Sequence, residues 1–136
     1  MRSCQECHGE IPQWKRKQSK YCSGRCGKRA GLRVHRELNP PTGLPTPTAG
    51  ALAELRVAAD LMARRWHVFR ALSPACPSDL VILRSDKVLR VQVRSAYRTK
   101  DGRFTVNRKN SEHDILALHF GNGEIRYEPA LVEVPD

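Results

Sequence analysis

Four cysteines in the first 26 residues restrict this chain more than any other feature. They form two close pairs, Cys4-Gln-Glu-Cys7 and Cys22-Ser-Gly-Arg-Cys26, with fourteen residues between the pairs. Zn²⁺ takes four soft ligands in a tetrahedron, and two thiol pairs meeting across a loop supply them. A segment this short holds too few apolar side chains to fold on burial alone, so its metal-binding energy would also be its folding energy. The fifth cysteine, Cys76, stands apart. An odd count with four members clustered argues for metal ligation over a disulfide framework.

The charge points to a polyanionic partner. The net charge is +10 over 136 residues, and the first 50 residues hold ten lysines and arginines against three acids. The remaining 86 hold fourteen against eleven. Such a balance suits a nucleic acid or an anionic surface. No apolar run approaches the roughly 18–20 residues of a spanning helix, and the N-terminus lacks the apolar core of a signal peptide, so a membrane is not expected as partner and the expected location is cytoplasmic. Between the thiol pairs, Trp14 to Tyr21 is basic with an aromatic at each end. Lys15, Arg16, Lys17 and Lys20 are candidate DNA contacts. The same pattern also suits a small core of Trp14 and Tyr21 with a solvated basic face.

Ser23 is a plausible N-cap for a basic helix from Gly24 to about Leu38. Residues 39–48 hold four prolines and read as an extended linker. The expected organisation is therefore a knuckle plus helix over 1–38, a linker over 39–48 and a second domain over 49–136. From Ala49 to about Arg65, Leu52, Leu55, Ala59 and Met62 recur at helical spacing. Glu54 falls at the border of that arc, near Ala58 and Leu61. It suits either a helix-terminal charge or a carboxylate aimed into a cleft.

Strands are expected at His67–Leu72, Asp79–Leu83, Val88–Ser95, Arg103–Val106, Asp114–Phe120 and Glu124–Tyr127, with a turn at Ser85-Asp86-Lys87 and a surface tail to Asp136. Alternation puts Arg90, Gln92 and Arg94 on one face of their strand and Val91 and Val93 on the other, in the core. A polar pair beside Asp79 fits phosphodiester hydrolysis, which needs a positioned water and relief of negative charge; one or two Mg²⁺ ions supply both. Mg²⁺ is held by one or two carboxylates plus waters and phosphate. Asp79 and Glu54 could be those carboxylates, Gln92 could add its amide oxygen, and Arg94 would lie by the phosphate. The competing reading is the wet face of an edge strand. Arg98, Lys100, Arg103, Arg108 and Lys109 follow as candidate DNA phosphate contacts.

Two resemblances sharpen this. Cys4, Cys7, Tyr21-Cys22-Ser23 and Cys26 resemble the treble-clef zinc knuckles of bacterial and phage DNA-binding and nuclease proteins. Gly50-Ala-Leu-Ala-Glu54, Pro77-Ser78-Asp79, Gln92-Val93-Arg94 and the strand opening at Asp114 resemble the PD-(D/E)XK nuclease superfamily, in particular its group I intron homing endonuclease-like branch, which tends to carry Gln where others have Glu. The resemblance implies an α/β fold: a PD-(D/E)XK-like restriction-endonuclease core, with a central mixed sheet flanked by helices in αβββαβ order, preceded by the small zinc-binding knuckle. It implies Glu54, Asp79, Gln92 and Arg94 as catalytic residues, the first three at Mg²⁺, and double-stranded DNA as substrate.

Arg94 departs from the family's Lys. Arginine stays protonated and cannot help deprotonate a water, but it can orient and neutralise a phosphate. The expectation is a Mg²⁺-dependent DNA endonuclease of phage or mobile-element type, nucleoid-associated, with structural Zn²⁺ at the four cysteines. Cutting two strands calls for a homodimer or larger assembly. The alternatives are a catalytically weakened nuclease-fold DNA-binding protein and a Holliday-junction-type resolvase.

Overall fold

The computed structural model describes residues 1–109 and 112–131; the tail expected on the surface lies mostly outside this range. The chain divides into two compact units, Met1–Leu38 and Asn39–Asp136. The first opens with a tight loop in which the Cys4 N–H donates to the Gly9 carbonyl at 2.7 Å and the His8 N–H to the Cys4 carbonyl at 2.9 Å. Helix α1 spans Gly24–Leu38. Ser23 caps it, its Oγ accepting from the Cys26 N–H at 3.2 Å. Cys26 and Ala30 are the buried residues of α1. The unit's core is Cys4, Ile11 and Cys26, with Tyr21 and Cys22 packed against them. Trp14 is 81% exposed, so of the two aromatics only Tyr21 packs there.

The second unit is a helix on a six-stranded mixed sheet. Helix α2 spans Thr46–Ala63, and Pro45 sits at its N-cap. It begins inside the segment expected as an extended linker. Proline is compatible with a first helical turn, whose N–H groups have no partner within the helix. The strands are β1 (His67–Arg70), β2 (Leu80–Arg84), β3 (Lys87–Arg98), β4 (Phe104–Val106), β5 (Ile115–Phe120) and β6 (Ile125–Glu128). They lie in the order β1-β2-β3-β5-β6, with β4 also paired to β3. The β3–β5 pair is parallel, and the other pairs are antiparallel. The αβββαβ order implies a helix before β5; the described residues there hold β4 and a loop.

Helix α2 packs Ala53, Val57 and Leu61 onto the sheet residues Leu80, Ile82, Val91, Val93, Ile115 and Ala117. The face expected inside was different: Leu55 and Met62 are 52% and 57% exposed. The helix is apolar nearly all round, so periodicity alone cannot choose a face. The other sheet face is covered by Ala96, Leu116, Leu118 and Phe120, with Phe104 and Val106 against them. All six residues of β5 are buried, as its nearly continuous apolar run predicts, and His119 is the one polar side chain among them. Among the described residues, no helix is long and apolar enough to cross a membrane.

Candidate functional site

In the first unit the four cysteine Sγ atoms lie within 4.8 Å of one another. Cys7 and Cys22 are 3.5 Å apart at sulfur, and Cys22 and Cys26 are 3.6 Å. Tetrahedral Zn²⁺ with bonds near 2.3 Å places its sulfurs roughly 3.8 Å apart, whereas a disulfide needs about 2.05 Å. The donor set therefore fits zinc. Burial pushes the Cys4 thiol up, but amides of Cys22, Cys7 and Glu6 outweigh it and bring the thiol down to about 6. Hydrogen bonds with the Cys7 and Cys26 thiols push Cys22 up to about 12. Four thiolates this close would repel one another, and a bound cation would stabilise them together.

In the second unit Glu54 on α2, Arg70 at the end of β1, and Ser78 and Asp79 before β2 line one cleft of about 280 Å³. The β2–β3 register pairs Leu80 with Val91, which brings Asp79 beside Gln92. Gln92 Nε2 donates to Asp79 Oδ2 at 2.5 Å, and the Val93 N–H donates to the same oxygen at 2.8 Å. Gln92 is buried, and β3 is paired on both sides. The wet edge strand is therefore excluded: a buried amide needs the acceptor that Asp79 gives it. Alternation holds as expected, with Val91 and Val93 in the core under α2.

Glu54 does not stand alone. Arg70 donates to its Oε2 from Nε at 3.1 Å and from NH2 at 2.9 Å. Arg70 went unremarked in the sequence. The signal was available, because alternation places it on the same face as Val68, toward α2, where a charge needs a partner. Glu54 and Asp79 present hard carboxylate oxygens to one open polar cleft, a donor set that fits Mg²⁺. Arg94 is half-buried, and its NH1 donates to the Val93 carbonyl at 3.5 Å; no bond joins it to Glu54 or Asp79.

The basic residues expected at DNA divide into two groups. Arg98 pairs with Glu124 and lies over the Phe120 ring. Arg103 pairs with Asp101 at 2.6 Å, and Arg108 with Glu128 at 2.6 Å. Much of the charge on that stretch is thus answered within the fold, while Lys100 and Lys109 are exposed. In the knuckle loop, Arg16, Lys17 and Lys20 are exposed and Lys15 is half-buried. The loop is pinned from below, because Arg2 NH1 donates to the carbonyls of Arg16 at 2.8 Å and Lys17 at 2.9 Å. Asp114 accepts the Arg90 N–H at 2.7 Å, tying the loop before β5 to β3. The Arg90 side chain and amide together hold the Asp114 carboxyl below the usual carboxylate range.

A family model described as PD-(D/E)XK endonuclease matches residues 45–124, from the start of α2 to the start of β6. No curated protein matches the chain. Among solved structures, the bacterial homing endonuclease I-Ssp6803I is similar in fold, with a TM-score of 0.54 and 22% identity. The likeness covers 61% of this chain and 64% of that one, so this chain spans less than two thirds of that structure.

Proposed function

The chain belongs to the PD-(D/E)XK endonuclease family, and from that premise we propose that it is a Mg²⁺-dependent DNA endonuclease of homing or mobile-element type, with a zinc unit that adds DNA affinity. The observation that carries this reading is the cleft. Glu54 and Asp79 line it together, and the buried Gln92 is bonded to Asp79. Glu54 and Asp79 would hold the cation, with the Gln92 amide oxygen as a further ligand or as a hold on the attacking water. A Mg²⁺ ion held by these residues would supply a water of lowered pKa and polarise the phosphate.

The protein's own residues do the rest. The Val93 N–H fixes one Asp79 oxygen, so the carboxylate is held before substrate arrives. Arg94 carries a fixed positive charge for the phosphate as charge builds on it. Arg70 gives Glu54 a counter-charge in the resting cleft. Lys15, Arg16, Lys17 and Lys20, with Lys100 and Lys109, are exposed or half-exposed cations for phosphate contacts. Cutting both strands of a duplex takes two clefts, so the working form is a homodimer or larger.

The test is nicking of supercoiled plasmid by zinc-loaded protein with Mg²⁺. Wild type should cut, and Asp79→Asn should lose at least about 100-fold in rate while keeping its zinc and its DNA binding. No cutting by wild type that still binds DNA would overturn the reading. One observation favours a second reading, a non-catalytic DNA-binding protein on a nuclease fold: Arg94 cannot take a proton from water. Gain of cutting by Arg94→Lys in an inactive wild type would establish that alternative. Preference for four-way junctions over linear duplex would instead mark a resolvase.

A further inference from the structure

Helix α1 lies outside the residues that match the nuclease family. Its two faces differ sharply. Cys26 and Ala30 are buried and Val34 is half-buried along one side. At 100° per residue, Arg25, Lys28, Arg29, Leu32 and Arg36 fall within an arc of about 100° on the opposite side. All five are exposed, and Leu32, at the centre of the arc, is 57% exposed. Arg33, at the arc's edge, is tied to Glu6 at 3.0 Å. No described residue pairs with Arg25, Lys28, Arg29 or Arg36. The helix has no acid before Glu37. Arg98, Arg103 and Arg108 in the other unit, by contrast, all have carboxylate partners.

We infer that α1 is the base-reading element of the protein and docks this stripe in the major groove of double-stranded DNA. From Arg25 to Arg36 the stripe runs about 16 Å along the helix. The major groove of B-DNA, roughly 12 Å wide, admits an α-helix. Three of the four cations are arginines, whose planar fork matches the O6 and N7 acceptors of guanine; a lysine-rich face would serve phosphates as well. An exposed leucine among four cations is unfavourable in water but suits the methyl group of thymine. Because Cys26 belongs both to the four-cysteine cluster and to α1, zinc held there would fix the helix on the knuckle and make the stripe a rigid surface. The basic loop then supplies phosphate contacts and α1 supplies sequence preference.

This inference rests on duplex DNA being the partner, not on cleavage. The test is fluorescence anisotropy with the full zinc-loaded chain, without Mg²⁺, on a short duplex pool of random sequence. The same pool methylated at guanine N7, a major-groove atom, should bind about tenfold more weakly or worse. The combined variant Arg25→Gln, Arg29→Gln, Arg36→Gln should lose about tenfold in affinity along with the sensitivity to methylation, at unchanged zinc content. The variant Lys15→Ala, Lys17→Ala, Lys20→Ala should keep that sensitivity while its salt dependence becomes shallower. Equal binding of methylated and unmethylated pools by wild type would overturn the inference, and this arm needs no variant to fold. Preference for single strands or RNA would overturn it as well. A chain that never nicks plasmid yet shows the N7 effect would lose the nuclease reading and keep this one.

Discussion

The two units hold themselves together by different means. In the first, the buried cluster is Cys4, Ile11 and Cys26, with Tyr21 and Cys22 beside it. Three of those five residues belong to the four-cysteine cluster whose donor set fits zinc. In the second, ten buried residues join α2 to one sheet face and four more close the other. The first unit has the donors of a coordination sphere where the second has apolar area removed from water. A short basic segment can manage with a very small core where paired ligands are placed to hold a metal. The larger unit can then bury a polar residue, Gln92, on the central strand β3, with Asp79 just before β2 as its partner, because its stability comes from elsewhere.

Four measurements would break or sharpen this contrast. The largest effect should come from stripping zinc with a strong chelator. The first unit should lose its fold, since structural zinc sites supply roughly 10–16 kcal/mol, while the thermal transition of the second stays in place. Loss of both transitions together would erase the distinction. Next, Leu61→Ala removes a fully buried side chain from under α2 and should cost the second unit about 2–5 kcal/mol. Denaturant unfolding would register this, and bound zinc should remain one per chain.

A smaller effect should appear with pH. Burial first, and Arg56 second, lower the pKa of His119 from 6.5, and Arg56 NH1 lies 3.5 Å from its ring. The fold therefore prefers the neutral ring. The resulting stability is fully present above about pH 6.5 and is lost as pH falls through the lowered folded value, because the unfolded chain takes up a proton that the fold resists. His119→Gln should flatten stability against pH in that window, and an unchanged slope would assign it to another group. The smallest effect should come from the β2–β3 turn, where Ser85 adopts φ 54. Ser85→Gly should stabilise the second unit by about 0.5–1 kcal/mol and leave the first untouched.

What could be read in the sequence follows from how local each signal is. The cysteines declare themselves because ligand pairs must be close along the chain, and their sulfurs do meet. Asp79 and Gln92 are also legible, since a two-residue hairpin turn fixes the register that brings them together. The buried face of α2 is not legible, because Leu52, Leu55, Ala59 and Met62 offer as good a stripe as Ala53, Val57 and Leu61, and only the sheet chooses. The acids that answer Arg98 and Arg108 lie 26 and 20 residues away. That distance makes their charge look available when it is spent inside the fold. Arg70 is hidden for the same reason: its partner Glu54 is sixteen residues earlier, on another element.

The parallel pairing of β3 with β5 also has a kinetic consequence. β2 and β3 close through a turn of two residues, whereas Val91 must find Ile115 across 24. Local loops close sooner and more cheaply than distant ones. Asp79 and Gln92 both lie on the hairpin side, so this hydrogen-bonded pair should be in register while β5, whose six residues are all buried, is still outside it. Pulse-labelled amide exchange during refolding should protect β2 and β3 ahead of β5 and β6. If β5 is protected first, the distant pair is the nucleus and the hairpin forms around it.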